Sequence, residues 1–219
     1  MTLHEPLHAG KSNQHAKHLS LHALVLAAGQ GSRFGGSKLQ ARYHDQPLLA
    51  YPLAVVAAAR ERGLIEGGHV VVPADDDASC ELVRSMKLEP VTNNAPERGL
   101  SHSLQLGLAA LENTGRPAAA LILLGDQPLV RLEVLEAIIS AWHAGGGTII
   151  RPRYEASPNV PGHPVLVERS VWSMIRELKG DAGLASGGSR QVETLVNVNG
   201  INPDVDTPSD LQALEVLQQ

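Results

Sequence analysis

A single cysteine, Cys80, stands in a chain of 219 residues, which excludes an internal disulfide and any zinc site built on cysteines. Placed on a predicted helix, its thiol reads as a small packed side chain. One phenylalanine, three tyrosines and two tryptophans give no platform for stacking nucleic-acid bases, and a net charge of −5 with a pI near 6.0 gives no basic footprint. No apolar signal core marks the first residues, and no apolar run has membrane-spanning length. These absences predict a cytoplasmic protein with neither nucleic acid nor membrane as partner, and a small ligand. What is present, 43% apolar and 19% charged residues, suits one soluble domain with a full core.

Residues 1–21 hold His4, His8, His15 and His18 among polar residues without apolar period, and read as a disordered, His-rich tail that does not join the core. The domain is expected over 22–219. From Ala23 an apolar run reads as a buried strand. Pro47 to Arg62 reads as a helix closed by Gly63, with Leu48, Leu49, Leu53, Val56 and Ala57 on one side. The alternation recurs: a strand over 69–73, a helix over 75–87, a strand over 87–92, a helix to about Glu112 with Ser101 as N-cap, and a strongly apolar strand over 118–124. A helix over 132–142 and a strand over 148–151 follow. Pro152, Pro158, Pro161 and Pro164 then predict a loop over 151–164, before a strand at 165–167, a late strand over 192–198 and a terminal helix capped by Thr207 with Pro208 at its first position. Alternating strands and helices give one α/β domain with a mainly parallel sheet.

The first strand runs into Leu26-Ala27-Ala28-Gly29-Gln30-Gly31-Ser32-Arg33-Phe34-Gly35-Gly36-Ser37-Lys38. Glycines let main-chain N–H groups approach an anion, and Arg33 and Lys38 bring positive charge beside them, so the stretch reads as a cradle for a nucleoside triphosphate. It is not the dinucleotide fingerprint, because Phe34 stands where the third glycine belongs. It is not a Walker A loop either, because Gly36 is followed by Ser37-Lys38 instead of Lys-Ser. At the end of the most apolar strand lies Gly125-Asp126-Gln127-Pro128. A carboxylate there is costly without a cation or donors, which makes Asp126 the best metal-ligand candidate.

The pattern L-A-A-G-x-G-x-R-F-G-x-x-K resembles the signature loop of the MobA-like nucleotidyltransferases, and in particular the molybdenum cofactor cytidylyltransferases. Gly-Asp-Gln-Pro and Asp204-Val205-Asp206-Thr207-Pro208 match in the same order, so that the likeness covers about residues 22–215. It implies a Rossmann-like three-layer α/β/α fold with a mainly parallel mixed sheet, and transfer of CMP from CTP to the pyranopterin molybdenum cofactor with release of pyrophosphate. It further implies a nucleotide site of Leu26, Ala27, Ala28, Gly29, Gly31, Lys38, Ser101, Ser103 and Gln127, catalysis by Lys38, Arg33 and Asp126, and Mg²⁺ held by Asp126 and Asp206 with Asp204 as substitute. Gly162 and His163 of a G-H-P segment, and Asp181 of a K-G-D-x-G turn, fall to the acceptor side, although Ala185 stands where that turn normally leads to arginine, with Arg190 nearby. A molybdoenzyme or its maturation chaperone is the further partner implied. Ala28 and Gln127 carry the cytidylyl features, since guanylyltransferases of the family have L-A-G-G. Two other readings stand beside this one: a transferase for GTP or another phosphorylated acceptor, and a non-catalytic nucleotide-binding maturation module.

Overall fold

The computed structural model describes residues 20–29, 31, 33–180 and 193–217. Strand β1 (Leu21–Leu26) is buried along its whole length, and its side chains alternate between two apolar clusters. Leu21, Ala23 and Val25 join one, Leu24 and Leu26 the other, as the twofold period of a strand covered on both faces requires. Beyond β1 come a short hairpin of β2 (Arg42–Tyr43) and β3 (Gln46–Pro47), helix α1 (Ala50–Glu61), β4 (Gly67–Pro73), α2 (Asp77–Ser85), β5 (Glu89–Asn93), α3 (Leu100–Asn113) and β6 (Ala119–Leu124). The second half adds α4 (Leu132–His143), β7 (Ile149–Tyr154), β8 (Val165–Glu168), α5 (Trp172–Ile175), β9 (Glu193–Val198) and α6 (Pro208–Leu217).

Seven strands form one sheet in the order β5-β4-β1-β6-β8-β7-β9. Pairings are parallel except those of β8 with β6 and with β7. Helices α1, α2 and α4 pack on one face, with Leu53, Val83 and Leu135 in the larger cluster; α3 and α5 cover the other through Leu104, Leu108 and Trp172. This is the three-layer α/β/α arrangement with a mixed, mostly parallel sheet. Among the described residues no helix is long and apolar enough to cross a membrane.

Several boundaries differ from the sequence reading, which also lacks the β2–β3 hairpin and α5; four of the differences bear on the site or the core. The tail assigned to residues 1–21 lies outside the described residues up to position 19, but Ser20 and Leu21 belong to the body. The Ser20 carbonyl accepts the Ala118 N–H at 2.8 Å, and Leu21 is 2% exposed. Pro47 does not open a helix: it pairs with Arg42 in the hairpin, where its missing N–H costs no ladder bond, and α1 begins at Ala50. Ser101 is not an N-cap, because α3 starts one residue earlier with Gly99 before it. Strand β7 continues through Pro152 to Tyr154. The Pro152 carbonyl accepts from the Gly162 N–H at 2.8 Å, so the proline nitrogen, on the same side, meets the loop, while β7 pairs with β9 along its other edge.

Gly107, in the middle of α3, lets that helix settle onto the sheet. A β-carbon there would stand 2.3 Å from Cδ1 of Leu24, which is fully buried and hemmed in by its own cluster. Gly107→Ala should therefore destabilise the fold: overpacking costs about 1–3 kcal/mol, against a gain of roughly 1 kcal/mol in helix propensity. Thermal unfolding should show the melting temperature falling by about 2–4 °C per kcal/mol of net loss, with the secondary structure retained.

Candidate functional site

Parallel register carries the ends of β1 and β6 to the same edge of the sheet, Leu26 opposite Leu124. The Gly125 N–H extends the ladder to the Leu26 carbonyl at 2.9 Å, so the loops that follow the two strands leave side by side. From β1 the chain turns at Gly31, whose φ of +56° is the left-handed conformation that glycine adopts freely. It closes in a single helical turn, Lys38–Gln40, with Leu39 buried beneath. From β6 the chain leads directly to Asp126. A third segment, 202–206, is drawn in from the far end of the chain, where the Val205 N–H donates to the Asp126 carbonyl at 3.0 Å.

Lys38 joins all three. Its ammonium donates to Asp126 Oδ2 at 2.7 Å and to Asp206 Oδ1 at 3.1 Å. Burial pulls the Lys38 pKa down, but the Asp126 and Asp206 carboxylates more than offset it, so the group stands above its ordinary value and stays charged. Arg33 lies mostly in solvent with Nη1 3.7 Å from Asp206 Oδ2. Asp206 is held from below by a capping arrangement at the start of α6. The Asp210 carboxylate accepts the Asp206 and Thr207 N–H groups at 3.0 and 2.7 Å, and the Thr207 hydroxyl accepts the Asp210 N–H at 3.2 Å. The bonds from Thr207 and Asp206 keep Asp210 below the usual carboxylate range.

Two adjoining clefts open along this edge. One, of about 390 Å³, runs between Ala28, Gly29 and Gly31 on one wall, Gly99, Leu100 and Ser103 on the other, and Asp126, Asp204 and Asp206 at its end. The other, of about 740 Å³, lies across the glycine loop from Gly35, Gly36, Ser37 and Lys38 to Pro73, Asp75 and Asp76. Ala28, Gly29, Gly31 and Pro96 border both, so an elongated ligand can cross from one to the other. Ser103, in the first turn of α3, has its hydroxyl fixed by a bond from the Asn93 side chain at 3.0 Å. Leu26 lines the first cleft and Ala27 the second. Ala28 is 2% exposed and belongs to the apolar cluster of Leu26 and Leu104, so only its edge meets the cleft.

Other expected site residues fall elsewhere. Ser101 is buried, and its N–H donates to the Gly180 carbonyl at 3.0 Å instead of facing a cleft. Gln127 is also buried and borders neither cleft, its amide being spent on Asp204 and Asn202. Gly162 and His163 border neither cleft. Arg151 donates to the Pro161 and Gly162 carbonyls at 2.9 and 3.0 Å, and the Tyr154 hydroxyl to the His163 carbonyl at 2.8 Å. Burial raises the Tyr154 phenol to about 12, which keeps that donor protonated. Burial, with the Arg151 charge added, lowers His163 to about 4, so its ring is neutral near pH 7 and brings no charge to a phosphate. Asp181, Ala185 and Arg190 lie outside the described residues. Sequence reasoning ranked Asp204 only as a substitute, yet it shares the cleft wall with Asp126 and Asp206. Its spacing of two from Asp206 was the signal, since alternate residues of an extended segment share a side. Its carboxyl is raised by partial burial first and by the Asp126 charge second. Glu97 and Asn93, a cleft residue and the anchor of Ser103, carried no such signal.

The donor set suits a hard divalent cation. Asp126 Oδ1 is buried without a hydrogen-bond partner, while Asp126 Oδ2 and Asp206 Oδ1 already share one positive charge. Among the described residues no group of three or more His, Cys, Asp or Glu side chains is arranged around one ion position. Two carboxylates, with remaining positions left to ligand oxygens, is what a magnesium-like ion takes beside a polyphosphate.

The sequence profile of the MobA-like NTP transferase domain matches residues 23–194. The chain is 31% identical over 142 residues to a probable molybdenum cofactor guanylyltransferase of Thermococcus gammatolerans, covering 64% of this chain and 65% of that one. It is 33% identical over 126 residues to a 2-C-methyl-D-erythritol 4-phosphate cytidylyltransferase of Psychrobacter arcticus, covering 56% and 43%. The aligned parts thus span less than two thirds of these relatives' own lengths. Among solved structures, Rv0371c of Mycobacterium tuberculosis superimposes with a TM-score of 0.74 at 30% identity, covering 89% of this chain and 96% of the other. The same protein in complex with manganese gives 0.72 at 27%, covering 89% and 97%. With the profile matched over residues 23–194 and the fold superimposed over 89% of its length, the chain belongs to the family of MobA-like NTP transferase domains.

Proposed function

We propose that the protein transfers CMP from CTP to the terminal phosphate of the pyranopterin molybdenum cofactor and releases pyrophosphate, with Mg²⁺ as its metal ion. The observation that carries this reading is the convergence of the glycine loop, Lys38, Asp126 and Asp206 on one cleft edge. The name of the Thermococcus relative supports the acceptor, and that of the Psychrobacter relative supports the use of a cytidine nucleotide by this kind of domain.

An oxygen of the acceptor's terminal phosphate forms a bond to the α-phosphorus of the triphosphate, and the bond from that phosphorus to the bridging oxygen of the β-phosphate breaks. The electron pair leaves with pyrophosphate, so no protein nucleophile takes part. The protein has to bring together two polyanions that repel each other and hold them in line. Gly29 and Gly31 let the loop backbone approach the triphosphate, while Arg33 and Lys38 supply cationic partners. Lys38 reaches the phosphates by exchanging its carboxylate partners for phosphate oxygens. Asp126 and Asp206, freed of the ammonium, would hold the divalent cation, whose chemistry is to neutralise charge on the phosphoryl oxygens.

Ala28→Gly and Lys38→Ala test separate parts of this reading. One methyl group in a pocket discriminates by about 10–200-fold. In a mixture of CTP and GTP with molybdopterin-bound molybdenum as acceptor, mass analysis should find mainly the cytosine dinucleotide, and Ala28→Gly should narrow the ratio. Predominant GMP transfer by the unaltered protein would promote the guanylyl reading instead.

Lys38→Ala should lower kcat by orders of magnitude, because the ammonium contacts charge that grows towards the transition state. Asp126→Asn should act in the same direction, and circular dichroism should show both variants folded. Near-normal turnover in either would remove that residue from the reaction.

A further inference from the structure

The side chain of Gln127 follows Asp126 in sequence but turns away from the cleft into a buried polar junction. Its Nε2 donates to Asp204 Oδ1 at 2.7 Å and to the Asn202 carbonyl at 3.3 Å, and its Oε1 accepts from Asn202 Nδ2 at 3.0 Å. Asn202 is fixed in turn by a second bond, from Nδ2 to the His163 carbonyl at 3.3 Å. An amide is the one side-chain group of this length that can donate to a carboxylate and accept from a neighbouring amide at once. Glutamate at 127 would set a second negative charge against Asp204.

The backbone around Asp204 is held independently, through the Val205 N–H on Asp126 and through Asn202, so the bond from Gln127 decides where the Asp204 carboxylate points. The Lys38 ammonium marks where a cation sits, and among the described residues its ion pairs are with Asp126 and Asp206. Asp204 lines the same cleft, but its Oδ1 accepts from Gln127 and it is not among these ion-pair partners of Lys38.

We propose that Gln127 is a positioning residue which, braced by Asn202, holds Asp204 back from the cation-holding pair, so that the site offers two carboxylates instead of three. This limits the negative charge that an incoming triphosphate must face. It also leaves ligand positions open for phosphate oxygens, and the cation is not trapped once pyrophosphate departs.

The proposal rests on the cation reading given above, and both can be tested without turnover by titrating the protein with Mn²⁺ alone and following free Mn²⁺ by electron paramagnetic resonance. Asp126→Asn should weaken Mn²⁺ binding by roughly tenfold or more, whereas Asp204→Asn should leave the Kd within about twofold. Gln127→Met, which keeps the volume but removes the donor, should tighten Mn²⁺ by about threefold or more, and adding Asp204→Asn to it should abolish the gain, as a double-mutant cycle requires of a residue acting through another. Loss of affinity in Asp204→Asn comparable to that in Asp126→Asn would make Asp204 a ligand and overturn the proposal, as would unchanged or weaker binding in Gln127→Met. If Gln127→Met does not fold, the Asp204→Asn result decides. Unchanged binding in Asp126→Asn would overturn the cation reading itself, and the proposal with it.

Discussion

One ammonium group ties together residues 88 and 168 positions apart in the chain: Lys38 with Asp126, and Lys38 with Asp206. Two carboxylates brought to one cleft edge repel each other and favour protonation unless a cation lies between them. Lys38 is that cation, with its side chain only 10% exposed and its charge fully paired. The glycine loop, the end of β6 and the segment before α6 are therefore held in mutual register by the group that, in the proposed reaction, meets phosphate. The same oxygens are committed first to the lysine and then, in the proposed reaction, to a metal ion, which makes arrival of the triphosphate and release of the carboxylates parts of one exchange.

The sheet makes this meeting possible. β1 and β6 are adjacent and parallel, so both deliver their following loops to the carboxyl-terminal edge, at the point where strand order changes direction. Strands β4 and β5 extend the sheet on one side and the mixed β8-β7-β9 group on the other. The first side brings Pro73, Asp75, Asp76 and the start of α3 to the glycine loop. The second brings segment 202–206 to Asp126 and ties the Pro161–Pro164 stretch to Asn202, and there the connection is made largely by buried polar groups. Such a junction holds one geometry firmly, because each buried polar group left unpaired costs about 1–3 kcal/mol.

Much of this was legible in the sequence because its cause is local. Apolar runs with flanking glycines and prolines mark β1, β4 and β6, and the cap formed by Thr207 and Pro208 appears where its residue types predict it. The glycine loop with its two cations and the carboxylate after the most apolar strand were readable for the same reason: a charge in those places needs a purpose. Pro47 misled because a φ suited to the first turn of a helix also suits a hairpin position that needs no N–H, and Pro152 because proline excludes a ladder bond only on the side its nitrogen faces, and which side is bonded depends on neighbours far along the chain.

The amino-acid sequence by itself determined the order of the main strands and helices, the β2–β3 hairpin and α5 excepted, together with the glycine-rich character of the first loop and the residue types gathered at the sheet edge, since each follows from spacing within a few positions. Only the tertiary structure decided that Lys38 would lie between Asp126 and Asp206, that Gln127 would face Asp204 and Asn202 instead of a cleft, and that His163 would be neutral behind Arg151. These depend on direction and on distances between segments scores of residues apart, which arise when the sheet closes and buried polar groups must find partners.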